Sequence, residues 1–212
     1  MTLVGGGPVD PARLAEALAL APEAVAADGG GDVALPGGRD FAAVIGDMDS
    51  LRSGPALAAR GVALHHLPEQ ETTDLEKCLY SVAAPLLIGL GFLGGRIDHH
   101  LAAMNALVRY PDRAAILVGT EDLCFRCPAT LELDLPAGAR VSLFPMAPVR
   151  GLVSEGLRWP VAGLAMAPDA RIGTSNLATG GRVRLAFDGP AMLVMLDAAH
   201  LAAVAARIAP GA

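Results

Sequence analysis

The sequence predicts an α/β protein, with an N-terminal Rossmann-like domain containing a parallel sheet and a C-terminal all-β, sandwich-like domain. In the first half, short apolar runs alternate with helix-length segments, a pattern typical of parallel strands joined by helices. After about Glu121, proline and glycine recur at short intervals and helical periodicity disappears, which favours antiparallel strands. We therefore place the two domains at residues 1–122 and 123–212.

Helices and strands alternate through the first domain. Asp10 followed by Pro11 is a capping residue with proline at the first helical position, and it predicts a helix that stops near Pro22. Thr73 and Glu76 have the spacing of a capping box and predict another helix start. The other predicted elements are strands at Ala24–Ala27, Ala42–Ile45, Val62–Leu67, Leu86–Leu90 and Ala114–Val118, and helices at about Leu51–Ala59 and Ile97–Val108.

Short alternating segments fill the second domain. They predict strands at Thr130–Leu135, Arg140–Phe144, Gly151–Trp159, Arg182–Phe187 and Met192–Leu196. With turn residues between them, these segments indicate a small sandwich or roll.

Composition narrows the possible partners of the chain. Hydrophobic residues make up 53% and charged residues only 18%, so an apolar interface and an oligomer are expected. The net charge of −6 and the lack of a basic stripe argue against nucleic acid. The apolar run Val82–Gly95 has 14 residues and is too short to span a membrane, so the expected location is the cytoplasm.

Two residue counts exclude further classes of site. Lys77 is the only lysine among the 16 basic residues, and its surroundings exclude a Walker P-loop, so metal, arginine and backbone amides must hold any nucleotide. The chain has three cysteines, too few for a four-thiolate zinc site. We therefore predict that Cys124 and Cys127 are ordinary thiols, despite their zinc-like spacing.

Carboxylates follow several of the predicted strands. Asp47 and Asp49 stand two residues apart, and in an extended segment this spacing points both side chains the same way. Magnesium binds carboxylate oxygens together with substrate phosphates, so the pair predicts a metal cradle at the carboxyl edge of the sheet. Gly46 is expected to allow the turn that presents the pair, and Ser50 can cap the helix that follows. The alternative is an ordinary strand-to-helix loop capped by polar residues.

Two further segments carry polar groups suited to phosphate. Thr73 and Asp74 suit the start of a helix, whose amides can also bind a phosphate, and Asp74 is a candidate metal ligand or proton acceptor from a substrate hydroxyl. The turn Gly94-Gly95 precedes Arg96, whose fork suits phosphate oxygens, and Asp98 is expected to orient Arg96 or to hold ribose or metal.

Taken together, these segments resemble thiamine pyrophosphokinases over most of the chain. That family has Asp-Gly-Gly, Gly-Asp-x-Asp-Ser, Gln-x-x-Thr-Asp and Gly-Gly-Arg-x-Asp segments in this order, and here they are Asp28-Gly29-Gly30, Gly46–Ser50, Gln70–Asp74 and Gly94–Asp98. The second half adds Gly156–Trp159 and Thr174-Ser175-Asn176, similar to the Gly-Leu-Lys-Trp and Ser-x-Ser-Asn segments of the family's thiamine-binding β domain.

The resemblance implies an enzyme that transfers diphosphate from ATP to the hydroxyl of thiamine, with Mg²⁺, giving thiamine diphosphate and AMP. It also implies a homodimer whose thiamine site lies between the catalytic domain of one subunit and the β domain of the other. The implied catalytic residues are Asp47, Asp49, Asp74 and Arg96, of which the three aspartates are the metal ligands. The implied binding residues are Asp28, Gly29, Gly30, Gln70, Thr73, Gly95, Asp98, Trp159, Ser175 and Asn176.

The chain also departs from the family pattern. Gly31-Asp32 replaces the usual Ala-Asn, and Gly173 replaces a common serine. Trp159 either stacks on a cationic thiazolium or anchors a core at a sheet. Two other functions stay open from the sequence: diphosphate transfer to another alcohol such as a hydroxymethyl pterin, and a catalytically silent nucleotide or thiamine sensor.

Overall fold

The computed structural model describes residues 1–209, and these fall into two compact units. The first unit contains residues 1–106 and 117–120, and the second contains residues 107–116 and those from Glu121 onward. The end of the predicted 123–212 domain, residues 210–212, lies outside the described residues. The assignment of a catalytic and a thiamine-binding role to residues 1–122 and 123–212 stays a prediction.

The first unit is built on parallel strands that alternate with helices, which confirms the predicted α/β class. The strands are β1 (Thr2–Val4), β2 (Ala24–Ala27), β3 (Ala43–Gly46), β4 (Ala63–His66), β5 (Leu87–Leu90) and β6 (Ala115–Val118). The helices are α1 (Pro11–Leu20), α2 (Gly54–Ala59), α3 (Asp74–Ser81) and α4 (Ile97–Arg109). The boundary between the units falls within the last turn of α4 and in the middle of β6. The strand order is β6-β5-β1-β2-β3-β4, and β1 pairs in parallel with both β2 and β5. The central strand β1 was absent from the sequence-based prediction, because three residues are too few to show a period.

Local sequence explains where these elements begin. All four residues in each of β2, β3, β5 and β6 are buried, as expected for strands of a parallel sheet covered on both faces. The Asp10 carboxylate accepts from Ala12 N at 2.8 Å and caps α1. The capping box at α3 is confirmed, because Thr73 and Glu76 exchange backbone and side-chain hydrogen bonds.

Between Glu121 and residue 209, the second unit consists of antiparallel strands followed by one α-helix. The strands are β7 (Asp122–Arg126), β8 (Leu131–Leu135), β9 (Arg140–Pro145), β10 (Val149–Glu155), β11 (Ala165–Met166), β12 (Gly173–Leu177), β13 (Gly181–Phe187) and β14 (Met192–Asp197). They form the order β12-β9-β14-β7 and a separate sheet of order β11-β10-β13-β8. This arrangement confirms the separate antiparallel architecture that the sequence predicted.

Two details of the second unit correct the predictions. The second half is not all-β, because α5 (Leu201–Ile208) follows β14 and buries Leu201, Val204 and Ala205. These positions have helical spacing. Alanine occurs on both the buried and the exposed face of the helix, so the sequence shows little difference in hydrophobicity between the two faces. The predicted strand Gly151–Trp159 ends at Glu155, so Trp159 lies in the loop that follows β10.

Two further expectations concern the helices and the cysteines of residues 1–209. None of the helices within residues 1–209 has the length and apolar character needed to cross a bilayer. Cys78, Cys124 and Cys127 are all buried, which agrees with the burial expected of ordinary thiols. Burial raises the pKa of Cys124 and of Cys127 to about 12, so both thiols stay protonated at neutral pH.

Candidate active site

Three carboxylates meet at the carboxyl ends of β2 and β3. Asp28 follows β2, and Asp47 and Asp49 follow β3, and an oxygen from each lies within 4.8 Å of the other two. The two strands are parallel neighbours with Ala27 opposite Ile45, so their ends reach the same edge of the sheet. Oxygen ligands in this number suit a hard divalent cation such as Mg²⁺.

A tight turn, rather than an extended strand, brings Asp47 and Asp49 together. Met48 between them has φ 65°, so the expectation of an extended segment with both side chains on one face is wrong. Gly46 is required for a different reason. A Cβ at residue 46 would lie 2.7 Å from the Cβ of Asp28, so only glycine lets β3 approach that carboxylate.

Asp28 is buried, and one of its two carboxylate oxygens lacks a hydrogen-bond partner. The side chain is 2% exposed, and its Oδ2 accepts from the hydroxyl of Ser50 and from Ser50 N at 3.2 Å. Its Oδ1 is buried without a hydrogen-bond partner, which is costly unless a cation or another donor reaches it. Ser50 therefore binds Asp28 and does not cap α2 as expected, because the residue preceding that helix is Ser53.

The charges of Asp47 and Asp49 are unequally stabilised. Gln70 Nε2 donates to Asp47 Oδ2 at 2.6 Å, and this hydrogen bond holds the pKa of Asp47 below its usual value. Repulsion from Asp47, together with burial and the charge of Asp28, raises the pKa of Asp49. A divalent cation would relieve this repulsion, so the electrostatics of the cluster favour metal binding. Gln70, which the resemblance implied only as a binding residue, thus contacts the acidic cluster.

A cleft of about 760 Å³, here called the acidic cleft, opens beside the cluster within the first unit. Among the predicted site residues, Gly29, Asp47, Thr73, Asp74, Gly95 and Arg96 line it. Gly30 has a packing role instead, because a Cβ there would lie 2.0 Å from Val4 O. The structure therefore gathers segments that lie far apart in the sequence around one cavity.

Lys77 is a residue of the acidic cleft that sequence reasoning did not assign to the site. Its side chain is 2% exposed, and its ammonium lies 3.3 Å from Asp74 Oδ1. Burial raises the pKa of Asp74, although the charge of Lys77 opposes that effect. The structure thus pairs Asp74 with a cation and does not group it with Asp28, Asp47 and Asp49. The sequence offered one signal for the role of Lys77, because it is the only lysine and lies four residues after Thr73.

A glycine segment after β1 was also missed. Gly5, Gly6 and Gly7 line the acidic cleft, and a Cβ at Gly7 would lie 2.6 Å from the backbone oxygen of Gly91. The two backbones approach closely only because residue 7 lacks a side chain. Three glycines directly after an apolar start were visible in the sequence, but they carry no chemistry of their own.

At another edge of the acidic cleft, Arg96 is paired with Asp98. Its Nε and Nη2 donate to the two oxygens of Asp98 at 3.1 and 2.5 Å, and the side chains are 73% and 63% exposed. The hydrogen bonds from Arg96 hold the pKa of Asp98 at about 2. His100 Nδ1 accepts from Gly94 N at 3.2 Å, which fixes the turn before α4. The pairing matches the expectation that Asp98 orients Arg96, while the nucleotide role of both stays a prediction.

Asp32, the departure from the family pattern, has a structural role. Its Oδ2 accepts from Arg52 Nε at 3.0 Å, and its Oδ1 accepts from Ser53 N at 2.8 Å, just before α2. Although burial favours the neutral acid, the hydrogen bonds from Ser53 and Arg52 hold the pKa of Asp32 at about 2. This carboxylate is therefore occupied within the protein and lies outside the three-carboxylate cluster.

A second cleft of about 330 Å³, here called the Trp159 cleft, lies within the second unit. Trp159, Ser175 and Asn176 line it together with Arg171. Trp159 is 52% exposed, so the interpretation of this residue as a core anchor is wrong. The guanidinium of Arg158 lies over the indole at 4.9 Å from the ring centroid, a cation–π contact.

Ser175 and Asn176 differ in how they face the Trp159 cleft. Ser175 is exposed and has φ 60°, an uncommon conformation for a residue with a Cβ, while its N–H donates to Ser142 Oγ at 3.0 Å. Asn176 is 4% exposed and its amide hydrogen-bonds the backbone of Trp159. Of the two, only Ser175 has a side chain that is open to a ligand.

The fold and the sites define an α/β protein with a carboxylate cluster suited to metal-bound polyphosphate and a second, β-rich unit with its own cleft. The family model described as thiamin pyrophosphokinase, catalytic domain, matches residues 14–118. The model described as thiamin pyrophosphokinase, vitamin B1 binding domain, matches residues 129–192, and together the two cover more than half of the chain. The chain belongs to the thiamin pyrophosphokinase family.

Individual relatives agree with this membership. Thiamine pyrophosphokinase 1 of Arabidopsis thaliana is 29% identical over 163 residues, which cover 68% of this chain and 60% of that protein. Thiamine pyrophosphokinase 1 of rice is 30% identical over 163 residues, covering 68% of this chain and 61% of that protein. The chain thus spans about 60% of the length of these curated relatives.

Solved structures share the fold. The crystal structure of thiamin pyrophosphokinase from Geobacillus thermodenitrificans has a TM-score of 0.74 and 22% identity, and the match covers 92% of this chain and 95% of that chain. The crystal structure of yeast thiamin pyrophosphokinase has a TM-score of 0.76 and 16% identity, covering 92% of this chain and 85% of that chain.

Proposed function

We propose that this protein transfers a diphosphate group from ATP to the hydroxyl of thiamine, giving thiamine diphosphate and AMP. Family membership supports this reaction over transfer to a pterin and over a silent sensor. The observation that carries the proposal is the cluster of Asp28, Asp47 and Asp49 beside the acidic cleft. In a protein that only binds an anionic nucleotide, three converging carboxylates would repel the nucleotide unless a cation accompanies it.

Asp28, Asp47 and Asp49 are the residues that we propose to hold Mg²⁺. The unpartnered, buried Oδ1 of Asp28 supports this set, because it lacks a partner that a cation would provide. When bound, Mg²⁺ would neutralise charge on the polyphosphate. Gln70 keeps Asp47 ionised and oriented through the 2.6 Å hydrogen bond. Asp28 thus replaces Asp74 in the ligand set that the sequence suggested.

Asp74 is then available for the proton of the acceptor. In the proposed step, the hydroxyl oxygen forms a bond to the β-phosphorus, and the bond from that phosphorus to the bridging oxygen of AMP breaks. AMP leaves with the electron pair of that bond, and the hydroxyl proton passes to the carboxylate of Asp74. A raised pKa suits this task, since a carboxyl group of ordinary acidity is a weak base at neutral pH.

Lys77 and Arg96 are the cations that we propose to stabilise developing negative charge. Lys77 is the only lysine and is buried at the wall of the acidic cleft, where its charge acts with little screening. Arg96 is exposed and offers a planar fork that Asp98 holds in place. Phosphoryl transfer depends mainly on such positioning and electrostatics.

Thiamine is proposed to bind in the Trp159 cleft. The exposed indole supports this assignment, because an aromatic face attracts a cationic ring. The homodimer, with a site shared across the subunits, and the cytoplasmic location are further parts of the proposal. The low charged fraction of 18% supports an apolar interface.

The decisive experiment is to incubate the purified protein with ATP, Mg²⁺ and either thiamine or a hydroxymethyl pterin, and to identify the products by mass. We expect AMP and thiamine diphosphate only when thiamine is present. Formation of a pterin diphosphate at a comparable rate would contradict the proposed acceptor, and no AMP with either acceptor would contradict the proposed reaction.

Variants connect this activity to the cluster. We expect Asp47→Asn to fold normally and to lose turnover, because it removes one charge from the metal ligands. Asp40→Asn is the matched control, since Asp40 forms an exposed ion pair with Arg60 outside the acidic cleft. Full activity of Asp47→Asn, or equal losses in both variants, would contradict the metal assignment.

A further inference from the structure

The side-chain amide of Asn176 makes three hydrogen bonds within the protein, two of them to Trp159. Its Oδ1 accepts from Trp159 N at 3.1 Å, and its Nδ2 donates to Trp159 O at 2.6 Å. Oδ1 also accepts from Leu177 N at 2.9 Å. Since Asn176 is only 4% exposed, its amide is held by the protein and is scarcely accessible to a ligand.

Two neighbouring backbone contacts also attach residues 157–159 to β12 and to the residue that follows it. Arg158 N donates to Leu177 O at 2.8 Å, and Leu157 forms an antiparallel bridge with Ala178. The backbone of residues 157–159 is therefore fastened to a strand, although the indole of Trp159 is 52% exposed. A large aromatic ring that is open to solvent thus stands on a fixed backbone.

We propose that Asn176 is a positioning residue that fixes Trp159 at the wall of the Trp159 cleft and does not itself contact the acceptor. Asparagine suits this task because one short side chain offers both an acceptor and a donor, matching the N–H and the C=O of a single residue. Aspartate lacks the donor, and leucine lacks both groups. The proposal that this wall receives thiamine rests on the proposed function.

Anchoring the backbone of Trp159 restricts the positions of its ring, and this restriction lowers the cost of binding. A ligand that must first order a mobile aromatic side chain loses affinity, whereas a ring already in place does not impose that cost. Asn176 is therefore expected to act on acceptor affinity through Trp159, with little effect on the chemical step. Residues that contact the reacting atoms would change kcat instead.

The first test uses fluorescence, because Trp159 is the only tryptophan in the chain. In the absence of substrates, we expect Asn176→Leu and Asn176→Asp to lower the steady-state anisotropy of the indole and to shift its emission. Leu131→Ala in β8 is the control for lost stability alone, since Leu131 is buried and does not line the Trp159 cleft. Unchanged anisotropy in the folded Asn176 variants would overturn the proposal.

The second test is a double-mutant cycle on the steady-state kinetics with thiamine. We expect Asn176→Leu to raise the KM for thiamine about tenfold while kcat changes less than about threefold, as for loss of a buried hydrogen-bond pair. In a Trp159→Ala background, which removes the ring and keeps the backbone groups that Asn176 contacts, the same Asn176→Leu change is expected to have the smaller effect, because the indole mediates it. Equal effects on KM in both backgrounds would overturn the proposal.

The two tests fail in distinguishable ways. If the wild-type protein forms no AMP with thiamine, the proposed function is wrong, and the substrate-free anisotropy still decides whether Asn176 fixes Trp159. If the anisotropy falls in the variants but thiamine KM is unchanged, the structural clamp exists and its role in acceptor binding is refuted.

Discussion

Replacing Lys77 by methionine should lower the stability of the protein only slightly, while lowering its activity strongly. The ammonium lies 3.3 Å from Asp74 Oδ1, where a unit charge pair is worth about 5 kcal/mol at an effective dielectric constant of about 20. Burying the ammonium, on a side chain that is 2% exposed, costs several kcal/mol in the opposite direction. Asp74 stays 36% exposed, so water hydrates the carboxylate that is left. The net loss of unfolding free energy is therefore about 1 kcal/mol, or about 2–4 °C in Tm.

The effect on catalysis should be larger. Loss of one buried cation beside the polyphosphate is expected to lower kcat about 100-fold, which corresponds to about 2.7 kcal/mol of transition-state stabilisation. The assay is the rate of AMP formation with thiamine, together with a thermal melt of each variant. Arg60→Met is the matched control, because it removes one cation from an exposed pair with Asp40 and should change neither quantity much. Wild-type kcat in a folded Lys77→Met protein would refute the proposed role of this ammonium.

Three other substitutions test particular features of the structure. Gly46→Ala places a Cβ 2.7 Å from the Cβ of Asp28, so we expect a loss of about 1–3 kcal/mol in a denaturant titration together with weaker binding of Mn²⁺. The pKa of Asp32 is depressed from 3.8 to about 2, so its contribution to stability is present above about pH 4 and is lost as the pH falls toward 2. Thermal melts across that interval should show a smaller acid-induced drop in Tm for Asp32→Asn than for wild type. Ser175 has φ 60°, a backbone conformation that is strained for a residue with a Cβ. Ser175→Gly should therefore raise the free energy of unfolding by up to about 1 kcal/mol while weakening thiamine binding. A lower Tm in this variant would contradict the inferred strain.

The fold was largely predictable because its strongest signals are local. Ala24–Ala27 is a strand in both the prediction and the structure, since an apolar run of four residues between turn signals is too short for a helix. Helix α3 was equally clear from its capping box. Elements without such signals were missed: β1 has only three residues, and α5 lies in a segment where alanine weakens the contrast between its faces.

The candidate site was predictable in composition but not in arrangement. The acidic residues could be found because strand ends gather them at one edge of the sheet. Their roles depended on backbone details that the sequence does not show, above all the left-handed Met48 and the buried position of Asp28. Lys77 was used only to exclude a P-loop, because burial of a lone lysine cannot be read from its neighbours. For Asn176, motif resemblance suggested a ligand contact, whereas its hydrogen bonds connect it to Trp159.

The central claim is that a diphosphate group, and not a single phosphate, moves from ATP to thiamine. Phosphorus NMR of a reaction with the purified protein, ATP, Mg²⁺ and thiamine tests this most directly. The account predicts that AMP and thiamine diphosphate appear in equal amounts and that no ADP accumulates. Formation of ADP together with thiamine monophosphate would contradict it.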